Sequence, residues 1–575
     1  MPFPTAKALL LAIATALPTV ALATPSRAAN DTLTINPTVQ HQTIAGFGTY
    51  LNTADTPTLQ AWKALGLTIM RMDMPKEVLE TSPTDEATRI PLSPNLQANV
   101  ALMNFATPEV AASGATAQWL KSNVPQFKLI ADCWSPPHWM KGPTGATQQF
   151  VGNPASDSPA FPTPWLSNTY NHWANTPNHF VSNSGASIGG RLKTEDPTTL
   201  SEYGRYFAAW VTGFQQTYKV PLANISLQNE SGFENPFDSM TLTVNAAGQS
   251  DPTQYALALK SVRDAFAANN IATPIRGPHF NIYGSPSVPW ALTTTMQMIQ
   301  GVKSNADATL QNALAIYSCN YYMAPDEDSV KTVAAYWFGS QSVPNTTFAS
   351  WIDAPGLFGD KKQNWFVETA DGPADWTTGA NGTPGDGAIT VALNLHNALV
   401  QSNASAYLYW QFVDGTGTPS SYGLLGDGQQ PDPTASKKYD AFAQFSKFVP
   451  PGSVRIDATF ASSNASATGG NSPYDTIESL DVSAYRTKTG ITIVLINATP
   501  NAHALNLNLP AYLHVNTLNQ YRTSATENLA QLPPIILLRP NPSVTVPPYS
   551  IVTLTGASLL ANASAAIPLP VIPNK

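Results

Sequence analysis

The chain has 575 residues, 43% of them hydrophobic and only 11% charged, with a formal net charge of −8. So little charge, against roughly 25% in an average soluble domain, together with so much apolar material, excludes a disordered chain. With a pI near 5.5 and no block of Lys or Arg, nucleic acid and anionic membrane are disfavoured as partners, and a neutral, hydroxyl-rich partner such as carbohydrate fits.

The N-terminus reads MPFPTAKALLLAIATALPTVALATPSRAAN. Lys7, the apolar run Ala8 to Ala16 and the small residues after Pro18 predict a secretory signal peptide over residues 1–28, cleaved after Ala23 or Ala28. The run is too short to span a bilayer, so the mature protein is expected to be soluble and secreted, either extracellular or periplasmic. The strand-like segment 31–43 follows. It is expected to join a C-terminal β domain, because the two ends of a barrel lie together.

From residue 44 to 450 short apolar runs recur: TIAGFGTY, LTIMRMDM, FKLIADCW, NISLQN, PIRGPHFNIY, LAIYSCNYY, NWFVE and SAYLYWQF. Stretches with apolar spacings of three and four separate them, such as TTLSEYGRYFAAWVTGFQQTY. Strands alternating with helices pair in parallel, and buried parallel strands read as continuous apolar runs. The predicted fold class is therefore α/β, a (β/α)8 barrel with loop insertions. The longest insertion spans roughly residues 142–195. Cys133 and Cys319 fall inside predicted buried strands and read as inert core thiols rather than a disulfide.

After residue 450 the helical period disappears. LDVSAYRT and GITIVLINAT alternate or are β-rich, so residues 451–556 are predicted to form a β-sandwich domain, with a low-complexity tail over 557–575. Asn-x-Ser/Thr sequons such as those at Asn345 and Asn497 read as chance in a chain rich in Asn, Ser and Thr.

Barrels of this kind carry their reactive residues at the C-terminal ends of strands. Glu230 ends the fourth run and Glu368 the seventh. Two such carboxyls ~5–5.5 Å apart would serve a retaining glycosidase, one attacking the anomeric carbon while the other donates a proton and later removes one from water. The alternative for either alone is a strand cap or an arginine partner. No His-Glu-x-x-His, Cys/His spacing or phosphate-binding loop occurs, so no metal or cofactor is expected.

SLQNE, ADCWSPPHWMKG, IGGRLKTED and QTIAGFG, followed by SKKYDAFAQFSKFVPPGSVRIDAT, ITIVLINAT and VPPYSIVTL, resemble glycoside hydrolase family 30 in matching order over nearly all of the mature chain. That family comprises retaining β-glycosidases with a barrel and a β-sandwich. The resemblance implies Glu230 as general acid/base and Glu368 as nucleophile. It implies that Asn229 bonds the sugar 2-hydroxyl, that Arg71 sits below the nucleophile to favour its charged form, and that Tyr322 orients Glu368. Trp134 and Trp410 would line the sugar site, and Trp139 and Trp165 would extend it.

Two departures stand out. Asn320-Tyr321-Tyr322 stands where many members have His-x-Tyr, and FVDGTGTPSSYGLL lacks the arginine that glucuronate-dependent xylanases place after the eighth strand. The expected function is a monomeric endo-β-1,4-xylanase without glucuronate dependence, acting on polysaccharide or oligosaccharide. The alternatives are a β-1,6-glucanase, a galactanase or an exo-β-glycosidase of the same family. From another class comes a catalytically inactive carbohydrate-binding protein.

Overall fold

The computed structural model describes residues 31–52, 55–79, 89–142, 149–152, 178–181, 187–231, 239–283, 290–322, 362–370, 376, 388–400, 403–414, 423–426, 436–461 and 480–559. The predicted signal peptide, most of the 142–195 insertion with Trp165, the Asn345 sequon, residues 415–422 and the tail beyond 559 lie outside them.

The eight apolar runs are the eight strands of a closed barrel. These are Gly46–Tyr50, Ile69–Asp73, Lys128–Asp132, Leu222–Ser226, Ile275–Tyr283, Leu314–Tyr322, Gln363–Thr369 and Ala406–Asp414. Every neighbouring pair is parallel, and the eighth strand pairs with both the seventh and the first. Helices outside and side chains inside bury each strand on both faces, so the first and second are buried throughout.

The helix Pro197–Tyr218 shows how the sequence starts and stops such an element. Asp196 accepts a hydrogen bond from the Thr198 amide, Pro197 opens the first turn, and Lys219 ends the helix in the left-handed region at φ 57°.

Side chains two apart on a strand share a face. Ile69 and Ile130 therefore point into the barrel below Arg71 and Asp132. With Val367, Leu408, Trp365 and two alanines they form an apolar cluster separate from the main core. A charged layer above an apolar floor is thus written into the strands as Ile-x-Arg and Ile-x-Asp.

The second domain is one hydrogen-bonded order of nine strands. Ala530–Ile536, Thr517–Thr523, Ser550–Ala557, Gly490–Asn497, Leu480–Arg486 and Val454–Phe460 come first, followed by Asp31–Thr43, His503–Asn508 and Ser543–Val546. Asp31–Thr43 runs antiparallel to Val454–Phe460 and parallel to His503–Asn508. Leu33, Val482, Leu495, Val546 and Leu554, from strands along the whole order, share one core. The sheet therefore curls over until its inner faces oppose each other.

The helix Lys437–Ser446 docks this domain on the barrel. Its Gln444 Nε2 donates to Thr523 Oγ1 at 2.8 Å, and Thr553 Oγ1 donates to the Gln444 carbonyl at 2.9 Å. Elsewhere on the interface His396, in the helix Ile389–Val400, lies 3.8 Å from Asp481, and both are fully buried.

Both cysteines are buried, and no disulfide joins them. Among the described residues no helix is long and apolar enough to cross a membrane. Asn497 is buried, and its amide nitrogen donates to the carbonyls of Asn501, Val546 and Pro547 at 2.7, 3.1 and 2.8 Å.

Candidate active site

Arg71, on the second strand, is fully buried at the centre of the barrel. Its Nε donates to Asp132 Oδ2 and its Nη1 to Glu368 Oε2, while Nη2 donates to Asn229 Oδ1 at 2.9 Å. Burial by itself would weaken the hold on the proton. The carboxylates of Glu368, Asp132 and Asp73 outweigh it and raise the pKa.

Asp132 accepts from Arg276 Nη2 on its other oxygen. Burial would push this carboxyl up, but Arg276 and Arg71 hold it well below the usual carboxylate range. Arg276 also donates from Nε to Asn224 Oδ1 at 2.8 Å and from Nη1 to Ser318 Oγ at 3.2 Å.

Glu230 lies beyond the end of the fourth strand and Glu368 near the end of the seventh. Both are almost wholly buried, 3% and 4% exposed, so either one meets a ligand only at the barrel mouth. Glu230 has φ 53°, a left-handed conformation that costs a side-chain-bearing residue energy and needs support around it. The support comes from two sides: the Asn229 amide donates to the Cys133 carbonyl at 2.6 Å and the Ser231 amide to the His279 carbonyl at 3.2 Å.

Asn320 Nδ2 donates to Glu230 Oε1 at 3.1 Å and to Asn229 Oδ1 at 3.3 Å. The two glutamates thus belong to one chain of hydrogen bonds, Glu368–Arg71–Asn229–Asn320–Glu230. Nδ2 of Asn229 makes no hydrogen bond among the described residues.

An aromatic patch stands beside this network. Tyr50 stacks on Trp410 with ring centroids 5.1 Å apart, and Trp134 meets Trp410 edge-on at 6.2 Å. The three form a cluster of their own, apart from the main core. Trp134 Nε1 donates to Asp73 Oδ1 at 2.7 Å, and the Arg71 guanidinium lies 5.1 Å from the Trp410 ring centre. Burial, and next the Asp73 charge, push the Tyr50 hydroxyl well up.

Of the residues singled out from sequence, Arg71, Asn229, Glu230, Glu368, Trp134 and Trp410 are brought to one mouth. Tyr322 ends the sixth strand, and its side chain lies outside the described residues. Trp139 sits in a short 3-10 turn and packs into the main core instead.

Sequence reading passed over Tyr50, Asp73, Asp132, Arg276 and His279. A signal existed for three of them: Asp132, Arg276 and His279 are polar residues inside otherwise apolar strand runs, where burial demands partners. Among the described residues no group of three or more His, Cys, Asp or Glu is arranged to hold a metal ion.

No protein-family model matches the chain. It is 33% identical over 142 residues to the glucuronoxylanase XynC of Bacillus subtilis, a match over 25% of this chain and 28% of that protein. The aligned part therefore spans little more than a quarter of that relative's length.

Among solved structures, a GH30 endoxylanase from Clostridium papyrosolvens C71 superposes with a TM-score of 0.58 at 20% identity, covering 92% of this chain and all of that one. The endo-β1,6-glucanase BT3312 superposes with a TM-score of 0.55 at 15% identity, covering 92% of this chain and 95% of the other. The barrel with its appended curled sheet is thus a fold of the glycoside hydrolase family 30 type.

Proposed function

We propose that the chain is a retaining β-glycoside hydrolase of family 30 in which Glu368 is the nucleophile and Glu230 the general acid/base. The observation that carries this reading is the pair of glutamates at the ends of the fourth and seventh strands, joined through Arg71, Asn229 and Asn320. Glu368 attacks the anomeric carbon while Glu230 protonates the departing glycosidic oxygen, which leaves a glycosyl ester on Glu368. Glu230 then takes a proton from water, the water attacks the same carbon, and the ester bond breaks. Asn229, with its Nδ2 uncommitted, donates to the sugar 2-hydroxyl, and Trp134 and Trp410 offer the sugar an apolar wall.

The substrate reading is xylan cleaved internally, without need of a glucuronate branch. Its support is the local identity to a glucuronoxylanase together with the absence of Arg and Lys from FVDGTGTPSSYGLL. Lys7 and the apolar run behind it support export, so the enzyme acts outside the cytoplasm.

Product analysis on plain xylan, glucuronate-bearing xylan, β-1,6-glucan, β-1,3-glucan and galactan tests the proposal. Mixed oligosaccharides from plain xylan, lost in Glu368→Ala, are expected. Release from β-1,6-glucan or galactan alone would keep the mechanism and overturn the substrate. Binding without turnover would make the chain a carbohydrate-binding protein.

A further inference from the structure

Hydrogen-bond directions in the barrel can be followed outward from Arg71, because a guanidinium only donates. Its Nη2 lies 2.9 Å from Oδ1 of Asn229, which is therefore the oxygen end of that amide. Asn320 approaches this same oxygen at 3.3 Å and Oε1 of Glu230 at 3.1 Å. Two acceptors on one side admit only the NH2 end of the Asn320 amide. Its oxygen end then faces Nε2 of His279 at 2.6 Å, so that nitrogen carries a proton.

On the far side of the His279 ring the Arg276 guanidinium, which only donates, has its Nη1 3.4 Å from Nδ1. The Ser226 hydroxyl lies 3.2 Å from the same nitrogen and gives its own proton to the Gln228 carbonyl at 3.2 Å. Asp132 Oδ1, 3.3 Å away, also accepts, but a neutral ring has one proton and Asn320 Oδ1, at 2.6 Å, holds the nearer claim on it. Burial lowers the pKa of the ring, which keeps it neutral with Nε2 as its single N–H. The backbone is built for this placement. His279 has φ 53°, at a register shift between Pro278 and Phe280, and such a bulge re-aims one side chain of a strand.

We propose that His279 is a positioning residue: its Nε2–H fixes the Asn320 amide with the nitrogen toward Glu230, so that Asn320 favours the ionised form of that carboxylate. The inference rests on the reading of Glu230 as acid/base and deepens it. The charged groups that face the His279–Asn320 pair and its network are Arg71 from the second strand, Asp132 from the third, Arg276 from the fifth and Glu368 from the seventh. Without the His279 donor, the Asn320 amide is free to turn its oxygen toward Glu230, and the carboxylate loses this hydrogen bond.

Two measurements on the full chain test this. Nitrogen-15 NMR of the eight histidines reads the tautomer with no substrate, the His279 signal being assigned by its loss in His279→Gln or its displacement in Asn320→Ala. A neutral ring protonated at Nε2 from roughly pH 6 to 8, the range in which an unperturbed imidazole titrates, is expected. A ring protonated at Nδ1, or one that titrates in that range, overturns the proposal.

The second measurement is the pH profile of kcat/KM on the glycan that the wild type hydrolyses. His279→Leu and Asn320→Ala should move the basic limb up by about half to one pH unit, as losing a donor to a carboxylate does. His279→Gln, whose amide still donates, should stay near the wild type. Slower turnover with an unmoved limb would make the pair merely structural and overturn the proposal. If the wild type hydrolyses no glycan, the proposed function falls, while the tautomer still decides the orientation of Asn320.

Discussion

Arg71 and Arg276, two fully buried guanidinium groups on the second and fifth barrel strands, share a single carboxylate, that of Asp132. Each takes a different oxygen, so removing that one side chain strips a buried partner from both cations. Buried ion pairs are costly to break from one side, at about 3–5 kcal/mol, because an uncompensated charge stays behind. Asp132→Ala is therefore expected to lower the stability of the barrel by about that much, read from its denaturant midpoint. A change within about 0.5 kcal/mol, ordinary for an exposed site, would mean that water or a rearranged neighbour takes over the role.

The two glutamates should separate by leaving group. Glu230→Ala is expected to slow hydrolysis of polysaccharide by about 10²–10⁴-fold, the usual worth of general acid catalysis. An aryl glycoside whose phenolate departs without a proton should be hit much less in its first step, and azide should replace water in the second and release a glycosyl azide. Glu368→Ala should be inactive on both. Equal losses on the two substrate types in Glu230→Ala would remove Glu230 from the acid/base role.

Two buried histidines give the folded state a pH dependence of definite sign. Burial lowers the pKa of His279 and of His396, the latter despite the opposing charge of Asp481. Below about pH 6.5 the unfolded chain takes up protons that the folded chain refuses, so stability falls as the pH drops. Asp132 adds a loss of the same direction below about pH 4, where its unfolded form protonates first. The Tm is expected to fall between pH 7.5 and 5. His396→Gln, at the domain interface and away from the barrel mouth, should flatten the profile, and an unchanged slope in that variant would assign the effect elsewhere.

Asn497 offers a test that needs no activity. Its amide nitrogen is the group a glycosyltransferase would modify, and here it is spent on three carbonyls in a buried corner of the sheet. Expression in a glycosylating host should leave it bare in peptide mass mapping. A glycan there would show that this corner opens, or has not yet closed, when the transferase acts.

The barrel was legible because its strands are apolar runs separated by stretches of helical period, and because Glu230 and Glu368 interrupt the ends of two of them. The apolar floor under Arg71 and Asp132 was in principle legible as well, from side chains two apart on one strand. What stayed hidden depends on partners far away in the chain. Asp132 meets Arg71 across 61 residues and Arg276 across 144, and no local pattern announces either meeting. His279 was missed for a different reason: its ring is aimed by a bulge and a left-handed backbone, which a histidine after proline does not advertise. The curling of the β domain into one continuous order likewise depends on which strands pair, and alternation along a strand is silent about its neighbours.

The strand Asp31–Thr43 lies between Val454–Phe460 and His503–Asn508 in the sheet. Its His41 sits 2.6 Å from Asp457, 416 residues along the chain. During synthesis this segment must therefore wait for strands made after the barrel before it has a partner. Its unpaired edge stays open for that whole interval, and so the β domain cannot mature ahead of the barrel. Cutting the chain after the barrel would strand this segment as a sticky ribbon, and a soluble barrel fragment would need both ends trimmed together.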